Sequence, residues 1–176
     1  MELYERYLNG DDTAFIEILS IYRYSLILYI QSIVHNIDEA EDIADEVFYR
    51  LSIKRLSPKR SLKHYLYRTA HNLSVDALRR SKKMSDTPIE EHIIAYEHVE
   101  QEVLKTEQNR VLYRALSNLN PEYTQVIYLS YFEGFDNSSI AKTMNKSTRQ
   151  IENLLYRAKS ALKKHINKEQ NENEDQ

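Results

Sequence analysis

The chain has no cysteine, only 2 glycines and 3 prolines. The missing thiols exclude disulfides and any thiol-ligated metal, and they fit a reducing compartment. Scarce breakers leave room for long helices. Most apolar repeats fall at three and four residues rather than two, so an all-α protein is expected. The opening MELYERYLNGDD is charged and holds no apolar signal core. No apolar run approaches the roughly 20 residues of a membrane span. A cytoplasmic protein with no membrane contact of its own is therefore expected. No nucleophile stands beside a base, no glycine-rich loop could cradle phosphate, and no metal-ligand spacing occurs. These absences predict a protein that is not an enzyme and carries no cofactor or metal.

What is present is an uneven charge. The net charge of the 176 residues is −3, and 29% of them are charged. Residues 1–49 hold 11 acids and 2 bases, whereas 50–83 hold 11 bases and 1 acid. Residues 85–109 hold 7 acids and 1 lysine, 110–168 hold 10 bases and 4 acids, and the tail from Glu169 adds 4 acids. Two cationic blocks set apart by acidic ones predict two anionic contact surfaces on one chain.

Periodicity and capping signals predict helices over Leu3–Leu8, from Asp11 or Asp12 to about Val34, Asp38 to about Lys54, and Leu62 to about Lys82. A break at Pro58 separates the last two. An acidic, partly apolar linker follows, and a helix from about Val99 to Asn118. Asn120-Pro121 reads as an N-cap with proline at the first helical position, and Gly134 as the stop. Ser138–Met144 is one more short helix, and NKEQNENEDQ a polar, frayed tail.

The run NSSIAKTMNKSTRQIENLLYRA has the layout of a helix-turn-helix. Ile140, Ala141 and Met144 face inward, and Asn145-Lys146 form a turn in which asparagine tolerates left-handed backbone. Ser147 and Gln150 make a capping-box pattern at the start of the second helix. Ile151, Leu155, Ala158 and Leu162 line its buried side. Thr148, Arg149, Glu152 and Asn153 are then placed to meet base edges in a major groove, and Arg157 and Lys159 to meet phosphates. An ordinary amphipathic helix with a solvated charged face would show the same spacing.

The longer stretch LNPEYTQVIYLSYFEGFDNSSIAKTMNKSTRQIENLLYRAKSALKK resembles the promoter-recognition domain of bacterial RNA polymerase sigma factors of the extracytoplasmic-function (ECF) group. Asn120-Pro121, Phe132-Glu133-Gly134, Ile140-Ala141 and Tyr156-Arg157-Ala158 carry the resemblance. The chain departs from it at Asn145-Lys146, where the family often has Gly-Ile, and at Ser139, where it often has Glu. The resemblance implies contact with the −35 promoter element through Ser147, Thr148, Arg149, Glu152, Asn153, Tyr156, Arg157 and Lys159.

A second resemblance is independent of the first. DEAEDIADEVFYRL is similar to the family's polymerase-docking helix. Asp38, Glu41, Asp42 and Asp45 fall on one side at helical spacing. The helix dipole explains acids in the first turn alone, not Asp45 and Glu46. A carboxylate metal site would lack converging histidines or loop ligands. The resemblance implies docking through Asp38, Glu41, Asp42, Asp45, Glu46 and Phe48 on the clamp helices of the polymerase β′ subunit.

SLKHYLYRTAHNLSVDALRRSKK is similar to the family's promoter-melting helix, with Tyr65 where tryptophan is usual. The resemblance implies −10 contacts by Lys59, Arg60, Lys63, Tyr65, Arg68, Asn72, Arg79 and Arg80. Lys59 and Arg60 would meet an unstacked base of the opened strand.

The implied organisation is a docking and melting domain over 1–84, an acidic linker over 85–105, a −35 domain over 106–168 and a tail over 169–176. The implied partners are core polymerase (its β′ clamp helices and its β subunit), duplex and single-stranded promoter DNA, and an anti-sigma factor. A stand-alone helix-turn-helix regulator and a helical adaptor acting on sigma factors are the rival readings.

Overall fold

The computed structural model describes residues 2–54, 56, 61–84, 112, 114–116 and 118–174. Lys59, Arg60 and the linker 85–105 lie outside the described residues. No strand occurs among those described. The described elements are α1 (Glu2–Leu8), α2 (Asp12–Val34), α3 (Ile37–Ile53), α4 (Leu62–Met84), α5 (Pro121–Ile127), a π turn (Tyr128–Phe132), α6 (Asn137–Thr143) and α7 (Thr148–Glu174). Residues 112 and 114–116 are also helical. The helices fall into two compact units. The first holds α1 to α4, and the second holds the described residues from 112 on, Lys142–Met144 aside.

The first unit is built on α2. Asp11 caps it by accepting from the Thr13 N–H at 3.1 Å, and His35 ends it in left-handed backbone, φ 59°. Asn36 caps α3 through the Glu39 N–H at 2.9 Å, a start signal the sequence reading passed over. Ala40, Ile43, Val47 and Leu51 of α3 are buried, as are Leu62, Leu66, Ala70 and Ala77 of α4. They enclose Leu26, Tyr29, Ile30 and Ile33 of α2. Cutting a fully buried leucine such as Leu66 back to alanine costs about 2–5 kcal/mol in a site of this kind.

Two sequence expectations change here. By length and composition α2 is apolar enough to cross a membrane, although no such run was expected. It packs on α1, α3 and α4 and buries Ala14, Ile18, Leu26, Ile30 and Ile33, while Ile16, Ile21 and Tyr24 stay exposed. The chain is also helical through Glu174, where a frayed tail was expected from residue 169. Lysine, glutamate and glutamine favour a helix once α7 has started it, and propagation adds one bond per residue.

The second unit begins on a well-made cap. The Asn120 side chain accepts from the Glu122 N–H at 2.9 Å, and Pro121 follows at the first helical position. The helix widens into a π turn before Gly134, which takes φ 66°. Asn145 adopts φ 53° between α6 and α7, as the turn demands. Lys146 pairs with Glu122 at 3.0 Å.

Candidate nucleic-acid and polymerase interfaces

α7 starts on a reciprocal cap. The Gln150 N–H donates to Ser147 Oγ at 3.2 Å, and the Ser147 N–H donates to Gln150 Oε1 at 2.7 Å. Two amides that no helical carbonyl could satisfy are thereby paired, and the first turn is fixed. Ile151, Leu155 and Ala158 are buried beneath it. Thr148, Arg149, Glu152, Asn153, Tyr156 and Arg157 are all exposed, and Tyr156 most of all at 78%. Arg149, Asn153, Tyr156 and Arg157 project opposite the buried stripe. The arrangement offers a rigid helix start with polar groups of the kind that read base edges, and an aromatic ring beside them.

Lys159 departs from that set. Its Nζ lies 5.2 Å from the Tyr131 ring centre, about a third of a turn away from Asn153 around the helix. It lines a cavity of about 410 Å³ with Leu116, Ile127, Phe132, Leu162, Ile166 and Lys163. The π turn makes this cavity, because it stacks Phe132 on Tyr128 at 5.1 Å and leaves Tyr131 and Phe132 partly in solvent. No apolar periodicity signals an inserted residue of this type, so the sequence reading missed the groove.

In α3, Asp38, Glu41, Asp42 and Asp45 are exposed. Asp45 accepts from Arg23 of α2 at 3.1 Å, and Glu46 from Arg50 at 2.6 Å. Phe48, expected among the docking residues, is 3% exposed and belongs to the core. Two large side chains that the motif did not single out are exposed on the acidic side of α3. Tyr49 is 61% exposed and Ile53 67%, and both share a side with Asp38, Asp42 and Asp45 at spacings of three and four. Exposed aromatic side chains are enriched in protein-docking patches, and the carboxylates beside them add a charge that a cationic partner would complement.

Ser61 stands just ahead of α4, and its carbonyl accepts from the Tyr65 N–H at 3.1 Å. Arg68, Asn72, Arg79 and Arg80 are exposed, and Tyr65 is half-buried. Tyr65, Arg68, Asn72 and Arg79 share the outer side. Arg80 sits at its edge, and Lys63 springs from the opposite side of the helix. Arg79 pairs with Asp76 at 2.8 Å. Burial raises the Tyr65 phenol above its ordinary pKa, opposed by a hydrogen bond with Thr69, so it stays neutral. Lys54 Nζ lies 5.4 Å from the Tyr65 ring centre, a cation of the 50–83 block that was not singled out by residue. No cluster of metal-ligating side chains occurs among the described residues.

Comparison with known proteins matches two stretches of the chain to one family. Residues 21–84 match Sigma-70 region 2, and residues 109–162 match Sigma-70, region 4. The chain is 27% identical over 171 residues to the ECF RNA polymerase sigma factor SigW of Bacillus subtilis, covering 90% of this chain and 91% of that one. The fold is similar to that of the sigma factor RpoE of Bartonella quintana, solved with the anti-sigma factor NepR. There the TM-score is 0.65 and the identity 17%, over 87% of this chain and 96% of that one. It is also similar to CnrH, solved with the cytosolic domain of CnrY, with TM-score 0.61 and 17% identity over 94% and 95% of the two chains. The helices α3 and α4 and the capped start of α7 thus lie inside the two matched regions, and the chain belongs to the bacterial RNA polymerase sigma factors, in the ECF group, non-enzymatic initiation factors that direct core polymerase to promoters.

Proposed function

We propose that the three surfaces divide the work of initiation in the cytoplasm. The acidic side of α3, extended by Tyr49 and Ile53, holds the β′ clamp helices of core polymerase. The outer side of α4, with Lys59 and Arg60, stabilises the opened −10 strand. The start of α7 reads the −35 duplex through Arg149, Glu152, Asn153 and Tyr156, and Arg157 meets phosphate. The apolar groove beside Tyr131 and Phe132 receives a helix of the β subunit, a mode in which side chains at helical spacing enter an apolar trough.

The proposed organisation follows the matched regions, with a docking and melting domain before residue 85, an acidic strap, and a −35 domain that starts near residue 106. Each half makes few DNA contacts. Binding both to one polymerase raises the effective concentration of each at the promoter, so the free chain binds promoter DNA weakly. An anti-sigma factor holds the chain inactive by covering these surfaces; complexes of that kind are what support this part of the reading.

The observation that carries the proposal is the reciprocal Ser147–Gln150 cap under an exposed polar helix face, on a chain whose α3 presents carboxylates. Pull-down with core polymerase followed by run-off transcription tests it. The expected result is stoichiometric binding to core and promoter-dependent transcripts. A chain that binds operator duplex tightly without polymerase, or that binds core and gives no transcript, would overturn it.

A further inference from the structure

We propose that Tyr4 of α1 is a positioning residue for Lys54, and that Lys54 with the Tyr65 ring forms a contact for the opened promoter strand. The inference rests on the reading of α4 as the strand-stabilising surface. α1 lies ahead of both regions matched to the family, so its role has to come from its own contacts.

Tyr4 is 4% exposed. Its hydroxyl donates to the Lys54 carbonyl and accepts from the Leu56 N–H at 3.2 Å. One side-chain oxygen thus ties the backbone on both sides of residue 55, fifty positions away in the chain. Lys54 is the first residue past α3 and is extended, with φ −107° and ψ 122°. Past the helix end no helical hydrogen bond fixes the direction of the Lys54 carbonyl, and the Tyr4 hydroxyl supplies that constraint. Leu56 is buried at 6% exposure and anchors the same stretch from below.

α1 itself is held in place. The Tyr7 ring lies 4.9 Å from Phe15 of α2, and Arg6 donates to both Asp11 and Glu17. The chain of contacts therefore runs from α2 through α1 to Lys54, and from Lys54 to Tyr65. A cation beside an aromatic face is the pairing that single-stranded nucleic acid uses, with phosphate on the one and a base on the other. Holding Lys54 over Tyr65 before DNA arrives removes part of the ordering cost of binding.

Full-length Tyr4→Phe, Lys54→Ala and the double variant, each with core polymerase, test the proposal. The readout is the lifetime of the open complex on a duplex promoter, with core affinity and thermal melting measured alongside. Each single variant is expected to shorten the lifetime roughly three- to tenfold, with core affinity unchanged. The double variant is expected to match the weaker single one, because both act through one contact. Lifetimes equal to the parent's in Tyr4→Phe, or effects that multiply in the double variant, would overturn it. A parent that binds core and never opens DNA would instead overturn the underlying reading of α4.

Discussion

Lys159 Nζ rests 5.2 Å from the centre of the Tyr131 ring, which draws a cation of the recognition helix toward the apolar groove. Arg157, two residues earlier, is exposed on the side that carries Asn153. The two cations therefore differ in partner although they are near neighbours in sequence. Neutralising one fewer phosphate lowers the dependence of log affinity on log salt by about 0.9. Arg157→Gln is expected to reduce the slope of holoenzyme binding to a promoter by about one. Lys159→Gln is expected to leave the slope nearly unchanged and to weaken attachment to core. Equal slopes in the two variants would place Lys159 on the DNA after all.

Arg149 and Asn153 project from the capped start of α7 into solvent. Replacing either by alanine is expected to lose discrimination at one or two −35 positions, about 1–3 kcal/mol for each base no longer read. Binding to core is expected to survive, because the surfaces proposed to dock on it lie elsewhere. Competition between promoters with single −35 changes measures this directly. Uniform weakening across all sequences would mean that these side chains touch phosphate.

The acidic side of α3 combines exposed carboxylates with exposed apolar groups. Asp42→Lys with Asp45→Lys reverses two charges, and it also sets a cation at position 45 beside Arg23 in place of the present ion pair. Core affinity is expected to fall by at least tenfold, with −35 specificity retained in whatever holoenzyme forms. Tyr49→Ala is expected to cost about 1–2 kcal/mol of core affinity if the ring is an anchor. Because Tyr49 is 61% exposed, its removal should leave thermal melting of the free chain near the parent value. Fluorescence titration of core with labelled chain distinguishes loss of docking from loss of folding.

The helix starts at Asn120 and Ser147 and the turn at Asn145 were legible because each is a local event, decided by a side chain and the amides two or three positions on. Spacing alone also predicts the inward sides of α3 (Ala40, Ile43, Val47, Leu51) and α4 (Leu62, Leu66, Ala70, Leu73, Ala77), and all of these are buried except Leu73, which is half-exposed. The burial of Phe48 was not legible, because its side of α3 is fixed by which helix packs there. Lys159 and the groove needed the π turn, an inserted residue with no sequence period. Tyr4 was out of reach for another reason: its two partners stand about fifty residues away, beyond any local pattern.

Acid should loosen the corner between α1 and α2 through Asp11. Its carboxylate accepts from Thr13 and from Arg6, and these bonds hold its pKa below the ordinary 3.8, the Thr13 bond first. A carboxylate whose folded pKa is depressed adds stability above the unfolded pKa and loses it as pH falls through the folded value. Arg6 is pushed the other way by the same pair, and it stays charged at every pH of interest. Asp11→Asn keeps an N-capping side chain and removes the charge. At neutral pH the parent is therefore expected to melt above Asp11→Asn. The gap should close as pH is lowered through and below the carboxylate range, because a protonated Asp11 no longer attracts Arg6. Melting temperatures of both chains across this range measure the gap. A difference that stays constant with pH would mean that the Arg6–Asp11 pair contributes nothing to the corner and that the cap alone holds it.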